Sequence, residues 1–240
     1  MTIPATDPRR AAVTRIAGRY LLFHAGIECG EERWSIAGTE TGMVVVGEQE
    51  TVPPHPFPSR HAWRATLTRE WRITGLEVHW SVGPHELRAT HAATQGAPGG
   101  SDTPMWRVRI EQGGRLREQE GDFPDSCEVD FATHLFNTLI LVRRDFAEGG
   151  EHEFPVLRIG PPFMAVTPDR MLYRCVEKGT FASPRGDLAA GRYVVSLPAQ
   201  GEESGYMFWA DEDGIVLESY EGLDRSHIWM RLVEYVREVS

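Results

Sequence analysis

The feature that most constrains this chain is the recurrence of short alternating runs cut off by Gly and Pro. Trp106–Ile110 shows it most clearly, with Trp106, Val108 and Ile110 on one side and Arg107, Arg109 and Glu111 on the other. A period of two places side chains on opposite faces of a strand, one apolar and one wet. Glu32–Ile36, Met43–Glu48, Trp63–Leu67, Trp71–Ile73, Leu76–Trp80, Tyr193–Leu197, Tyr206–Ala210 and Ile215–Tyr220 carry the β-branched and aromatic residues of further strands. Gln112-Gly113-Gly114-Arg115 has hairpin chemistry and predicts a return along Leu116–Glu120. Asp211-Glu212-Asp213-Gly214 is a second strong turn.

Thr51–Arg60, Thr94–Pro104 and Thr180–Gly191 read as loops. Helix signals are few. Asp125 or Ser126 could cap a short helix through Asp130–Asn137. Ile228, Leu232, Val233 and Val236 have roughly helical spacing and predict a C-terminal helix over Asp224–Val239, capped by Asp224. The expected fold is all-β and mainly antiparallel. It is a single curled sheet forming a β-roll or open barrel over residues 1–240, with a few short helices including the C-terminal one.

The chain has 240 residues, enough to bury a full core as one domain. Its net charge of -10 opposes sequence-independent binding to phosphates, so no nucleic-acid partner is expected. Lys178 is the only lysine, and no Lys/Arg-rich tract suited to anionic lipid is present. No run of 18 apolar residues occurs, which argues against integral membrane association. Met1–Arg10 lacks the apolar core of a secretory signal. Cys29, Cys127 and Cys175 form no CxxC and fit reduced thiols, so a cytoplasmic location is expected.

Reaction motifs are missing: no GxSxG, Walker A, GxGxxG or HExxH occurs, and no cofactor or metal is expected. His79, His85 and His91 lie six apart, but Gly83-Pro84 interrupts the first pair, so they read as solvent-facing. Cys127 reads as a buried structural thiol.

Chemistry concentrates in Cys127–Arg144, where Asp130, Asn137, Thr138, Arg143 and Arg144 interrupt an apolar run. Buried polar groups cost about 1–3 kcal/mol each when unpaired, so this segment must hold a polar network, a ligand or both. Asp130 is expected to meet Arg143 or Arg144. Six tryptophans (Trp34, Trp63, Trp71, Trp80, Trp106 and Trp209) fall on the expected strands, where they can fill a core or line a lumen.

The central segment resembles the bacterial family named for glycolipid binding. That family carries a pattern like Cys-x-x-Val-Asp-Leu followed by Thr-Asn-Thr-Leu-Pro-Ile-Arg-Arg. The matching residues are Cys127, Val129, Asp130, Asn137, Thr138, Leu139, Arg143 and Arg144. Leu157–Tyr173 and Tyr206–Leu223 are similar to two later family segments, in the same order. The family's Pro after Asn-Thr-Leu is missing, and the two arginines lie one residue later. The resemblance implies a curled antiparallel sheet akin to lipoprotein-localisation factors.

Residues and resemblance together suggest a non-enzymatic binder of a glycolipid or other amphiphile in the lumen. Its candidate ligand-binding residues are Trp71, Trp80, Asp130, Asn137, Thr138, Arg143, Arg144, Tyr173 and Trp209. One alternative is an interaction module that forms a homodimer through its sheet. Another is an enzyme using Asp130 and His134 as acid and base.

Overall fold

The computed structural model describes residues 13–94, 105–122, 127–144, 146–160, 164–183, 186–197, 205–222, 225 and 227–239. Eight strands come first: β1 (Val13–His24), β2 (Ile27–Gly38), β3 (Gly42–Thr51), β4 (Ser59–Thr68), β5 (Ile73–Val82), β6 (His85–Thr94), β7 (Met105–Gln112) and β8 (Arg115–Asp122). They form an unbroken antiparallel meander in chain order. A short strand β9 (Glu128–Phe131) and a helix α1 (Leu135–Arg143) follow. The second half adds β10 (Glu151–Gly160), β11 (Ala165–Ser183), β12 (Gly186–Ser196), β13 (Gly205–Asp211), β14 (Val216–Glu221) and β15 (Ile228–Val239).

All fifteen strands belong to one sheet, in the order β8 to β1, then β15 down to β9. The first and last strands therefore pair, with Phe23 opposite Trp229 and Ala17 opposite Val236. Every pairing is antiparallel except β9 with β10. The sheet is open, with β8 at one edge and β9 at the other. It curls far enough that the Val166 N–H on β11 donates to Gln119 on β8 at 3.4 Å. β8 is exposed along nearly its whole length and carries Arg115, Arg117, Glu118 and Glu120, a charged edge that discourages further strand pairing.

Glycine explains part of the curl. Gly18 lies opposite Trp34, Trp34 opposite Gly47, and Gly47 opposite Trp63, a rung of alternating glycine and tryptophan across β1–β4. A Cβ at Gly47 would sit 2.5 Å from the Trp63 ring, and one at Gly18 2.5 Å from Trp34. Each indole lies flat over its neighbour's bare backbone, a device that lets a sheet bend tightly.

The C-terminal helix does not form: Ile228–Val239 is β15. Positions i, i+4 and i+8 share a face in a strand as well as in a helix, so Ile228, Leu232 and Val236 fit both periods. Pairing with β1 and β14 on either side decides for the strand. Asp224, its expected cap, lies outside the described residues, as do Asp125, Ser126 and residues 95–104 of the second loop. The helix expected over Asp130–Asn137 is displaced to Leu135–Arg143, and the segment before it is β9. Thr180–Gly191 is the tip of the β11–β12 hairpin, with Phe181 paired to Leu188. Trp71 is not on a strand: it turns the chain between β4 and β5 with φ +65°, and its N–H donates to Thr68 O at 3.0 Å.

Candidate functional site

Eight of the nine residues of α1, Leu135 through Val142, are buried. A helix apolar on all sides has to be surrounded, and here the concave face of the sheet surrounds it. Phe136 meets Trp63 edge-on at 5.4 Å and Phe131 at 5.5 Å. The lumen is thus occupied by the chain itself. A small space of about 30 Å³, room for one or two waters, lies between Leu76, His91, Val108, Val129, Leu157 and Ile159.

Three expected ligand-binding residues sit inside this packing and bond to one another or to the sheet. Asn137 Oδ1 accepts the hydroxyls of Tyr173 and, at 2.8 Å, Tyr206. Thr138 Oγ1 accepts the Val216 N–H at 3.2 Å. Burial pushes the Tyr173 phenol well above its ordinary range, so it remains a neutral donor. This network anchors α1 to β11, β13 and the start of β14.

Charge gathers where α1 ends. Arg143 and Arg144 both bind Glu128 on β9, Arg144 at 2.8 and 3.0 Å. The Arg144 guanidinium lies 4.4 Å over the Phe154 ring. Two cations on one carboxylate leave a net positive charge at the helix C-terminus, where the helix dipole favours it. Burial lowers the Arg143 pKa, while Glu128 acts in the opposite direction. Asp130 does not meet either arginine. It pairs with Arg158 across the β9–β10 ladder at 3.5 Å, and Arg158 reaches Asp169 at 3.4 Å. Burial pushes the Asp130 carboxyl up to about 6, against the pull of Arg158. Sequence offered two carboxylates on β9, and the one not singled out holds the arginines.

Beside that arginine pair is a pocket of about 580 Å³. Its walls are Leu141–Arg144, Phe146, Lys178 and Gly179 on β11, Ala189–Gly191 and Tyr193 on β12, and Asp211, Glu212 and Gly214 at the β13–β14 turn. It opens at the end of the curled sheet at which α1 stops. Gly214, at φ +82°, lets the turn pass close to the helix: a Cβ there would lie 3.1 Å from Leu141 Cβ. Asp211 Oδ1 accepts the N–H groups of Asp213 at 3.0 Å and Ile215 at 2.8 Å, while burial pushes its carboxyl up to about 6. The pocket joins apolar walls to Arg143, Arg144 and the exposed Lys178. Lys178 was visible in the sequence as the only lysine, but nothing there placed it near the arginines.

The remaining expected residues are dispersed. Trp80 stacks on His61 at 4.3 Å inside the first half of the sheet. Trp71 packs against the core from its turn. Trp209 belongs to a separate cluster with Phe181, Ala190 and Leu217. His134 and Asp130 have different partners: His134 Nδ1 meets Ser219 Oγ at 2.8 Å, and burial lowers its imidazole to about 4. Ser219 is fully buried and His134 is half-buried. His79 and His85 are exposed as expected, but His91 points inward and neither of its nitrogens has a partner. No helix among the described residues is long and apolar enough to cross a membrane.

No family model and no curated protein matches the sequence. Solved structures do resemble the fold. A β-barrel-like protein from Brucella abortus, of the domain of unknown function DUF1849, aligns with a TM-score of 0.57 at 9% identity, covering 95% of this chain and 99% of that one. A DUF1089 family protein from Pseudomonas aeruginosa aligns with a TM-score of 0.47 at 16% identity, over 78% of this chain and 87% of that one. An exported protein with a YmcC-like fold from Bacteroides fragilis aligns with a TM-score of 0.32 at 9% identity, over 94% and 99%. The Brucella likeness shows that this chain has a bacterial β-barrel-like fold, here an open antiparallel sheet.

Proposed function

We propose that this protein binds an amphiphilic molecule of lipid or glycolipid type, without transforming it, in the pocket at the end of the curled sheet. The observation that carries the reading is the meeting, in about 580 Å³, of an apolar wall with two arginines and a lysine. That volume lies in the range of small-molecule sites, and the lining sets Leu141, Val142, Phe146 and Tyr193 beside the charged Arg143, Arg144, Lys178, Asp211 and Glu212. The polar head sits toward Arg143, Arg144 and Lys178, and the apolar part along Leu141, Val142, Phe146 and Tyr193. The motif resemblance around Asn137–Arg144 supports the same class of ligand. The site differs from the sequence expectation: α1 fills the lumen, so the ligand occupies the lumen's end, and of the nine expected ligand-binding residues only Arg143 and Arg144 line it.

Native mass spectrometry of freshly purified protein, with an organic extract run alongside, tests this. The expected result is a co-purified mass of several hundred daltons released by solvent, with occupancy at least about tenfold lower in Lys178→Glu. Lys178 is exposed, so this change leaves the fold intact. An unaltered occupancy in Lys178→Glu, or wild-type protein that retains nothing and takes up no added dodecyl maltoside, contradicts the reading.

A further inference from the structure

The meander fixes which turns share an end of the molecule. In an antiparallel run the β1–β2, β3–β4, β5–β6 and β7–β8 connections all lie together, opposite to the pocket. Of the large hydrophobic side chains exposed among the described residues, five of nine stand at these four tips: Ile27, Val52, Phe57, Val82 and Leu116. Phe57 is 73% exposed. The tip segments His24–Ile27, Val52–Pro58, Val82–His85 and Gln112–Leu116 contain no Asp or Glu, in a chain of net charge -10. They carry His24, His55, His85 and Arg115 instead. Glu28, Glu86 and Glu111 stand directly beside three of these tips in sequence, and Glu221 at the end of β14 acts on His24.

The loop Val52–Pro58 adds a more specific fact. Its sequence is Val-Pro-Pro-His-Pro-Phe-Pro, so four of its seven residues have no backbone N–H. Each of the other three N–H groups is already bonded within the protein. Val52 donates to Cys29 O at 2.8 Å, His55 to Val52 O at 2.9 Å, and Phe57 to His55 Nδ1 at 3.1 Å. A water-exposed loop has no need of this, because water satisfies free N–H groups. A loop that enters a medium without hydrogen-bond partners does need it. Burial lowers the His55 imidazole, in keeping with its role as the neutral acceptor of the Phe57 N–H.

We propose that this end of the molecule docks on a lipid surface, with Phe57 and its proline-rich loop as the inserting wedge. Ile27, Val52, Val82 and Leu116 stand at the neighbouring tips, staggered in register: Val52 aligns with Cys29, and Leu116 aligns through Glu111 and Arg88 with His79. Strands about 4.8 Å apart spread these side chains along an arc, each on its own hairpin. Separate apolar points suit a fluid interface, whereas a protein partner needs a contiguous complementary patch. The sequence shows no basic tract for such docking because the topology assembles the surface from four distant turns. The inference stands apart from the pocket, which lies at the other end.

The test is flotation of the full chain with vesicles of phosphatidylcholine, and of phosphatidylcholine with phosphatidylglycerol. Wild-type protein is expected to float with the vesicles, more with the anionic lipid present. Phe57→Ser is expected to lower partitioning about tenfold, the loss of most of one buried phenyl group. Ile27→Ser with Val82→Ser lowers it further. Val236→Ser, an exposed apolar position on the part of β15 away from these tips, is expected to leave it unchanged; circular dichroism verifies that each variant is folded. The proposal is overturned if wild type floats with neither vesicle, if Phe57→Ser floats like wild type, or if Val236→Ser loses as much. It is overturned equally if Phe57→Ser instead abolishes self-association in sedimentation, which would assign the surface to a second copy of the chain.

Discussion

Glu32 is fully buried on β2, with one oxygen bonded to the Thr133 hydroxyl and the other without a partner. Burial raises its carboxyl to about 7, from an ordinary value of 4.5. The fold therefore favours the protonated form. The stability this contributes is fully present below about pH 4.5 and is lost as pH rises through about 7, about 3 kcal/mol over the window. Glu32→Gln removes that dependence. Urea unfolding is expected to show the variant gaining on wild type from pH 4.5 to about pH 7 and levelling off above it; a difference that does not vary with pH contradicts it. Asn137 offers a second test. Its side-chain oxygen holds two tyrosine hydroxyls that also bond each other, so Asn137→Ala removes their shared acceptor and is expected to cost about 2–3 kcal/mol in the same assay, while Tyr206→Phe costs about 1 kcal/mol. Equal losses for the two changes would show that the network does not depend on Asn137. That Asn137 and Thr138 need partners was legible in the sequence. That the partners are tyrosines and a strand N–H from far along the chain was not, because only folding brings them together.

At the level of elements, strands were read most readily where one face is wet. β7 alternates cleanly because its outward arginines reach water. β11, at 19 residues, was missed: it bends at a bulge between Cys175 and Glu177, which shifts the register and breaks the alternation. β15 was misread because its spacing suits two periods and its partner strand lies at the far end of the chain. The curl itself depends on the glycine–tryptophan rung, whose pairing no single-strand pattern reveals. Gly47→Val places carbon atoms inside the Trp63 ring and its neighbours, and is expected to lower the thermal midpoint by an amount corresponding to at least about 2 kcal/mol. Gly83→Ala is the control, since open space surrounds that position and only its φ of +54° is strained. A smaller loss at Gly47 than at Gly83 contradicts the role assigned to the rung.

The whole molecule has two different ends. One carries the proline-rich loop and the exposed apolar tips; the other carries the pocket beside the α1 C-terminus. Curled-sheet architecture was legible from alternation and turn spacing, and the arginine pair from its motif. The contents of the lumen were not, because α1 gives no amphipathic signal when every face of it is buried. The account therefore stands on the ligand lying at the lumen's end and not within it. The most direct measurement is an amide NMR titration of isotopically labelled protein with dodecyl maltoside, a single-chain amphiphile with a sugar head, below its micelle concentration. The account predicts saturable shifts at Gly179, Ala189–Gly191 and Gly214, with little change around Trp63, Phe131 and Phe136. Shifts centred on those three aromatic residues, or no saturable shift at the pocket, would contradict it.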